Sequence, residues 1–159
     1  MNTSTMLPRD NQPIPTEQYK YIVEHMPLVC IDLAIINDEG KVLVVKRGNE
    51  PAKDHWWPVG GRILKNELIK DAAIRKAKEE AGVNVTFDKV LGVDETLFPE
   101  SNLGILSGTH TVNVIARVRM NPGEKVNLDK DHKDYQFVSK ADPSWHPYAK
   151  RVIREGLEQ

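Results

Sequence analysis

Arg75, Lys76, Lys78, Glu79 and Glu80 fall within six consecutive positions, downstream of the glycine pair Gly60-Gly61 and the acid Glu67. The stretch from Glu67 to Ala81 contains no Gly or Pro and is rich in Ala, Lys and Glu, so it is the strongest helix expectation in the chain. Gly82 is its natural C-cap. Helical spacing puts Ile69, Ala73 and Ala77 on one face with Ala72 beside them, and Lys76 and Glu80 fall on or next to that face. A carboxylate placed there is costly unless a cation or several donors satisfy it. Two readings stay open at this point. Lys76–Glu80 and Arg75–Glu79 are either solvated i,i+4 pairs worth about 0.2–0.5 kcal/mol each, or parts of a metal site. The glycine turn favours the second, because glycine lets backbone oxygens approach an ion closely. Oxygen donors from a turn and neighbouring carboxylates suit Mg2+, which keeps several waters and bridges to phosphates.

A second chemical candidate is His132, set in the charged stretch Asp129 to Asp134. Imidazole titrates near neutral pH and can accept a proton from water; the alternative is a solvated loop histidine. His25, His55 and His146 have no comparable constellation around them. Trp56 and Trp57 either stack on a ligand ring or pack their own loop. Cys30 is the only cysteine, which excludes an internal disulfide and a cysteine-based zinc site. It sits in the apolar run Leu28–Ile36 and reads as a small core residue.

The elements that must hold these groups follow from pattern. Residues 1–15, with Pro8, Pro13 and Pro15, read as a flexible lead-in to a single domain over 16–159. Thr16 to His25 has the spacing of a short helix with Thr16 as N-cap. Leu28–Ile36 and Lys41–Arg47 flank the turn Asn37-Asp38-Glu39-Gly40 and are expected to pair as a hairpin. Gly48 to Pro58 reads as loop. Extended segments are expected at Val85–Phe98, Thr109–Met120 and Tyr135–Val138, with a terminal helix over Trp145–Leu157. Strands on both sides of one central helix imply an α/β fold, a mixed β-sheet with helices packed on it.

The totals narrow the function. With 159 residues, a formal net charge of −1 and 28% charged residues, the chain has no overall attraction for a nucleic-acid backbone or an anionic membrane. No apolar run approaches the roughly 20 residues of a membrane span, and no signal pattern opens the chain. The expectation is a cytoplasmic protein whose acidic or phosphorylated small ligand meets local basic residues or a metal.

Gly61, five residues, Glu67, seven residues, Arg75, and then Lys76-Ala77-Lys78-Glu79-Glu80-Ala81-Gly82-Val83 resembles the box of the Nudix hydrolase family, G-x5-E-x7-R-E-U-x-E-E-x-G-U with U aliphatic. Gly61, Glu67, Arg75, Glu79, Glu80, Gly82 and Val83 match. The resemblance implies an α/β/α sandwich and metal-dependent hydrolysis of a nucleoside diphosphate linked to another moiety, with Mg2+ or alternatively Mn2+. One position departs from the box: Lys76 stands where a metal-binding Glu is expected. A lysine ammonium there repels cations, which argues for one metal at most.

Within that family the chain is most similar to the GDP-mannose mannosyl hydrolase branch, over about residues 27–138. Pro27-Leu28-Val29-Cys30-Ile31-Asp32, Lys46-Arg47, Trp56-Trp57, Gly60-Gly61-Arg62 and Asp131-His132-Lys133-Asp134-Tyr135 carry this resemblance. It implies attack of water on the anomeric carbon of a nucleoside diphosphate sugar, with His132 as base. By position it puts the Gly60 carbonyl, Glu80 and Asp131 on the metal, Arg47 and Arg62 on the diphosphate, and Asp32 and His110 in the substrate pocket. A homodimer is also implied. Thr96, Thr111 and Val59 depart from the branch's pattern, which leaves base and sugar open. Two other readings remain: attack on phosphorus with Glu79 or Glu80 beside a metal, or a silent nucleotide-sugar binder with Lys76 in the metal's place.

Overall fold

An apolar strand without alternation needs cover on both faces, and Leu28–Ile36 (β1) has it. In the computed structural model, which describes residues 12–158, every β1 residue except Val29 is buried. The sequence expectations for residues 1–11 lie outside the described residues. Ile31, Leu33 and Ile35 point to one side, where the helix Ile69–Ala81 (α2) lays down Ala72, Ala73, Ala77 and Ala81. Those alanines are fully buried, so α2 approaches the sheet closely; Ile69 is 38% exposed and takes no part. Ala34 and Ile36 point to the other side against Tyr148, Ala149, Val152 and Ile153 of the helix Pro147–Leu157 (α3). A methyl group on Gly156 of α3 would run into the Ala34 side chain. The helix Thr16–His25 (α1) closes one end with Val23 over Leu28 and Cys30.

The layers are thus helix, sheet, helix: an α/β/α sandwich with a mixed seven-stranded sheet. β1 runs parallel to Thr109–Met120 (β6) from Leu28↔Thr111 to Ile36↔Arg119, and Val85–Phe98 (β5) lies antiparallel outside β6. The other edge of β1 is divided. Val42–Arg47 (β2) meets β1 only at Ile36↔Val42. From Cys30↔Arg62 to Leu33↔Val59 the edge belongs to Val59–Arg62 (β4). β2 turns away to pair with Trp56–Trp57 (β3) and with His132–Val138 (β7), through a register shift that ends on Arg47↔His132. The expected hairpin therefore exists at its turn, where Asn37 Oδ1 accepts from the Glu39 and Lys41 amides, but most of its ladder goes elsewhere. The split carries β4, Arg47 and His132 to one end of the sheet.

Several boundaries differ from the sequence expectation for local reasons. α1 starts at Thr16, so Pro15 and not Thr16 is the cap residue, and it makes no side-chain cap bond. α2 starts at Ile69 because Glu67 is engaged elsewhere, as described below. β7 starts at His132 rather than Tyr135. α3 is capped by His146, whose Nδ1 accepts from the Tyr148 amide. No helix of the described residues is long and apolar enough to cross a membrane.

One polar bond crosses the α3 face. The Tyr148 hydroxyl donates to Asp32 Oδ2 at 2.5 Å, and both residues are buried. Burial pushes the Asp32 carboxyl up to about 7; Glu80 adds to the rise, while the Tyr148 bond, Arg47 and Lys76 oppose it. The folded chain then holds a proton that the unfolded chain releases near its ordinary value of 3.8. Stability conferred by that proton is present in acid and is lost as pH rises towards about 7. Urea unfolding followed between these limits should show wild type losing stability relative to Asp32→Asn as pH rises. A difference between the two that stays flat with pH would refute a protonated Asp32.

Candidate active site

The site is assembled around a buried ion pair. Arg75 Nε donates to Glu67 Oε1 at 2.7 Å and Nη2 to Glu67 Oε2 at 2.8 Å, and the Glu67 side chain is fully buried. Such a two-point contact fixes direction as well as distance. Glu67 Oε2 also accepts from the Leu64 amide, and Arg75 reaches the Arg62 carbonyl at 3.0 Å and Glu79 Oε2 at 2.9 Å. One pair thereby ties α2 to the end of β4 and to the loop between them. Removing either partner from a buried pair costs about 3–5 kcal/mol.

The next turn of α2 presents Glu80 to β4. Glu80 Oε2 accepts from the Gly60 amide at 3.2 Å, and Lys76 Nζ stands 2.6 Å from Glu80 Oε1. Lys76 also lies 3.4 Å from Glu79 Oε2. Lys76 and Glu80 are each only 14% exposed, so this is no solvated surface pair. Gly61 makes room for the lysine: with φ at +148°, a side chain there would be strained, and its Cβ would sit 2.9 Å from Lys76 Cε.

His132 approaches Glu80 from β7. Its side chain is 5% exposed, Nδ1 lies 2.7 Å from Asp129 Oδ1, and Nε2 lies 3.8 Å from Glu80 Oε2. The first distance is a hydrogen bond that orients the ring; the second is too long for one. The Asp129 amide donates to the Glu80 carbonyl at 3.1 Å, which locks this segment to the end of α2. Asp131 is held differently. Its carboxylate accepts from Asn49 Nδ2 and its carbonyl from the Gly48 amide, on the exposed side of the segment. Asp129, which sequence reasoning did not single out, is the acid that meets His132; its signal was a carboxylate three residues before the histidine.

On the α3 side of Gly60 lies a cavity of about 220 Å3. Asp32, Arg47, Gly60 and Arg62 all line it, together with Cys30, Thr111 and Asn113. Gly60 is required here, since any Cβ would overlap Asp32 Oδ1 and the Ile31 carbonyl. Arg47 Nε is anchored on the Pro51 carbonyl at 2.7 Å, and the Arg62 guanidinium lies 5.2 Å from the centre of the Tyr19 ring. Trp57 is 6% exposed and packs against Tyr148, Phe98 and His146, so it serves the fold. Cys30 is buried, and burial with Asp32 nearby pushes its thiol up to about 12. His110 does not join this group. Thr109, Thr111 and Asn113 face the cavity, so strand alternation turns His110 to the opposite side of β6, where Nε2 lies 3.5 Å from Glu95.

Oxygen donors from Gly60, Glu79 and Glu80 are the type magnesium takes. Among the described residues no three His, Cys, Asp or Glu side chains gather into a cage, and Lys76 already neutralises Glu80. A divalent ion at Glu80 would have to displace the Lys76 ammonium, with Gly60 and Glu80 as the oxygen donors that would hold it.

Sequence comparison gives the same framework. The NUDIX domain profile matches residues 26–156. The chain is 34% identical over 140 residues to the low-salt glycan biosynthesis protein Agl8 of Haloferax volcanii, covering 88% of each. It is 35% identical over 118 residues to an ADP-ribose pyrophosphatase of Methanocaldococcus jannaschii, covering 74% of this chain and 65% of that one. In structure it is similar to the MutT protein of Methanosarcina mazei, with a TM-score of 0.67 at 17% identity over 83% of this chain and 94% of the other. A buried Glu67–Arg75 pair that aims Glu79 and Glu80 at a glycine turn, within a matched domain that spans most of the sequence, places the chain in the Nudix hydrolase family.

Proposed function

We propose that the protein hydrolyses a nucleoside diphosphate sugar at the anomeric carbon, releasing the sugar and an intact nucleoside diphosphate. The observation that carries this reading is the Asp129–His132–Glu80 arrangement: a buried imidazole, oriented at Nδ1, with its Nε2 3.8 Å from Glu80 Oε2. Nε2 of His132 takes a proton as the water oxygen bonds to the anomeric carbon, and the carbon–oxygen bond breaks with its electrons going to the diphosphate. Arg47 and Arg62 at the cavity wall stabilise that growing charge, a task suited to a planar guanidinium. A bound Mg2+ ion, held by Gly60 and Glu80 with Asp131 as the further candidate, would supply additional neutralisation of the leaving group. The glycan biosynthesis relative supports a glycosyl substrate, and the resemblance to the mannosyl hydrolase branch supports both the carbon attack and a homodimer.

Attack on phosphorus is the second reading. It is favoured by the retention of Glu79, half exposed beside Arg75 and Lys76, and by the ADP-ribose pyrophosphatase relative. Turnover with Mg2+ and a nucleotide-sugar panel in water enriched in heavy oxygen separates the two. Label in the free sugar, with a loss of about 10²–10⁴ in kcat for His132→Ala, is expected for a general base. Label in a monophosphate, with His132→Ala little affected, would return the base to Glu79.

Lys76 generates a separate expectation. Its ammonium competes with any cation for Glu80, so Lys76→Ala should tighten Mn2+ binding by on the order of tenfold or more. Glu80→Gln should weaken the same binding and nearly abolish turnover. Electron paramagnetic resonance titration of free Mn2+ reads both affinities, and a normal metal affinity in Glu80→Gln would exclude Glu80 as a ligand.

A further inference from the structure

Asn113 lies in β6 between Val112 and Val114, opposite Cys30 of β1 and Asp94 of β5. Asparagine is depleted in strands, and this one is 2% exposed, with an amide nitrogen Nδ2 that finds no hydrogen-bond partner. Leaving a buried donor unpaired is unfavourable, and valine would fill the same place without that cost. The other polar groups nearby are accounted for. Thr96 and Thr111 bond each other at 2.6 Å, and Asp94 pairs with Arg151. The Asn113 amide lines the cavity, as does Asp32, two residues along β1 from the Asn113 partner Cys30.

We propose that Asn113 is a specificity-determining residue that donates to a hydroxyl oxygen of the sugar, while Asp32 accepts from a neighbouring hydroxyl. This rests on the nucleotide-sugar reading above and deepens it. The cavity, at about 220 Å3, is smaller than the roughly 300–1,000 Å3 of pockets that enclose whole drug-sized ligands. Its volume suits one ring, with Arg47 and Arg62 on its wall for the diphosphate. A nucleobase would want an open aromatic face, whereas Trp57 here is stacked on Tyr148 and edged by Phe98, and one face of the Tyr19 ring is taken by Arg62. A floor with one amide donor and one carboxylate suits a hydroxylated ring. The position is also right for the reaction, because Asp32 abuts Gly60, whose amide holds Glu80.

The test compares wild type with Asn113→Val by calorimetric binding of a nucleotide-sugar panel, which includes singly deoxygenated forms of the preferred sugar, and by thermal unfolding. The variant should bind the preferred compound about tenfold more weakly. For one deoxygenated analogue the two proteins should bind equally, and their affinity for the nucleoside diphosphate alone should agree within about threefold. The melting temperature should be unchanged or higher, since an unpaired buried donor has been removed. An equal loss on every analogue, a parallel loss on the nucleoside diphosphate, or a lower melting temperature with discrimination intact would each overturn the assignment. Because binding and not turnover is read, phosphorus attack would sink the proposed reaction and leave the Asn113 result standing. Failure of wild type to bind any member of the panel would overturn both.

Discussion

The Glu67–Arg75 pair is the constraint on which the rest of the site depends. It is buried, it is bonded at two points, and each partner has a further backbone contact, to Leu64 and Arg62 respectively. These contacts set the angle of α2 against β4, and only at that angle does Glu80 reach the Gly60 amide. The four buried alanines of α2 make the approach sterically feasible, but they are uniform and would tolerate sliding. Directional bonds remove that freedom. The cost of burying two charges is offset by satisfying nearly every donor and acceptor they carry.

Given that frame, the replacement at position 76 has a clear physical meaning. A cation attached to the helix stands 2.6 Å from Glu80 and 3.4 Å from Glu79, on the side that Gly61 leaves open. Glu80 thus collects an ammonium, a backbone amide and, across a short gap, an imidazole. The carboxylate is satisfied before any ion arrives, so ion binding becomes an exchange. His132 owes its orientation to Asp129, whose own position is set by the end of α2. Helix, glycine turn and last strand converge on one carboxylate.

Much of this was legible from residues alone. β1, β5 and β6 were expected with the bounds they have, because long apolar or β-branched runs between clear turn signals leave little ambiguity. The spacing from Gly61 to Val83 pointed to the helix and its charged cluster. β3 and β4 were not legible: Trp56-Trp57 and Val59–Arg62 lack alternation, and they become strands only because β2 and β1 have edges to offer them. The hairpin expectation failed in its ladder for the same reason. Asp131 is the nearer of the two aspartates to His132 in sequence, yet the backbone tie from Asp129 to Glu80 brings Asp129 against the ring. Asn113, between Val112 and Val114 and part of no motif, has no pattern to betray it.

Gly60 has one more consequence. Its amide faces Glu80 on the α2 side, while its α-carbon is pressed against Asp32 on the α3 side. A single residue without a side chain therefore separates the Glu80 carboxylate from the Asp32 carboxyl. Because Glu80 raises the Asp32 carboxyl and Lys76 opposes that rise, a change of charge on either side of this one peptide unit is felt on the other.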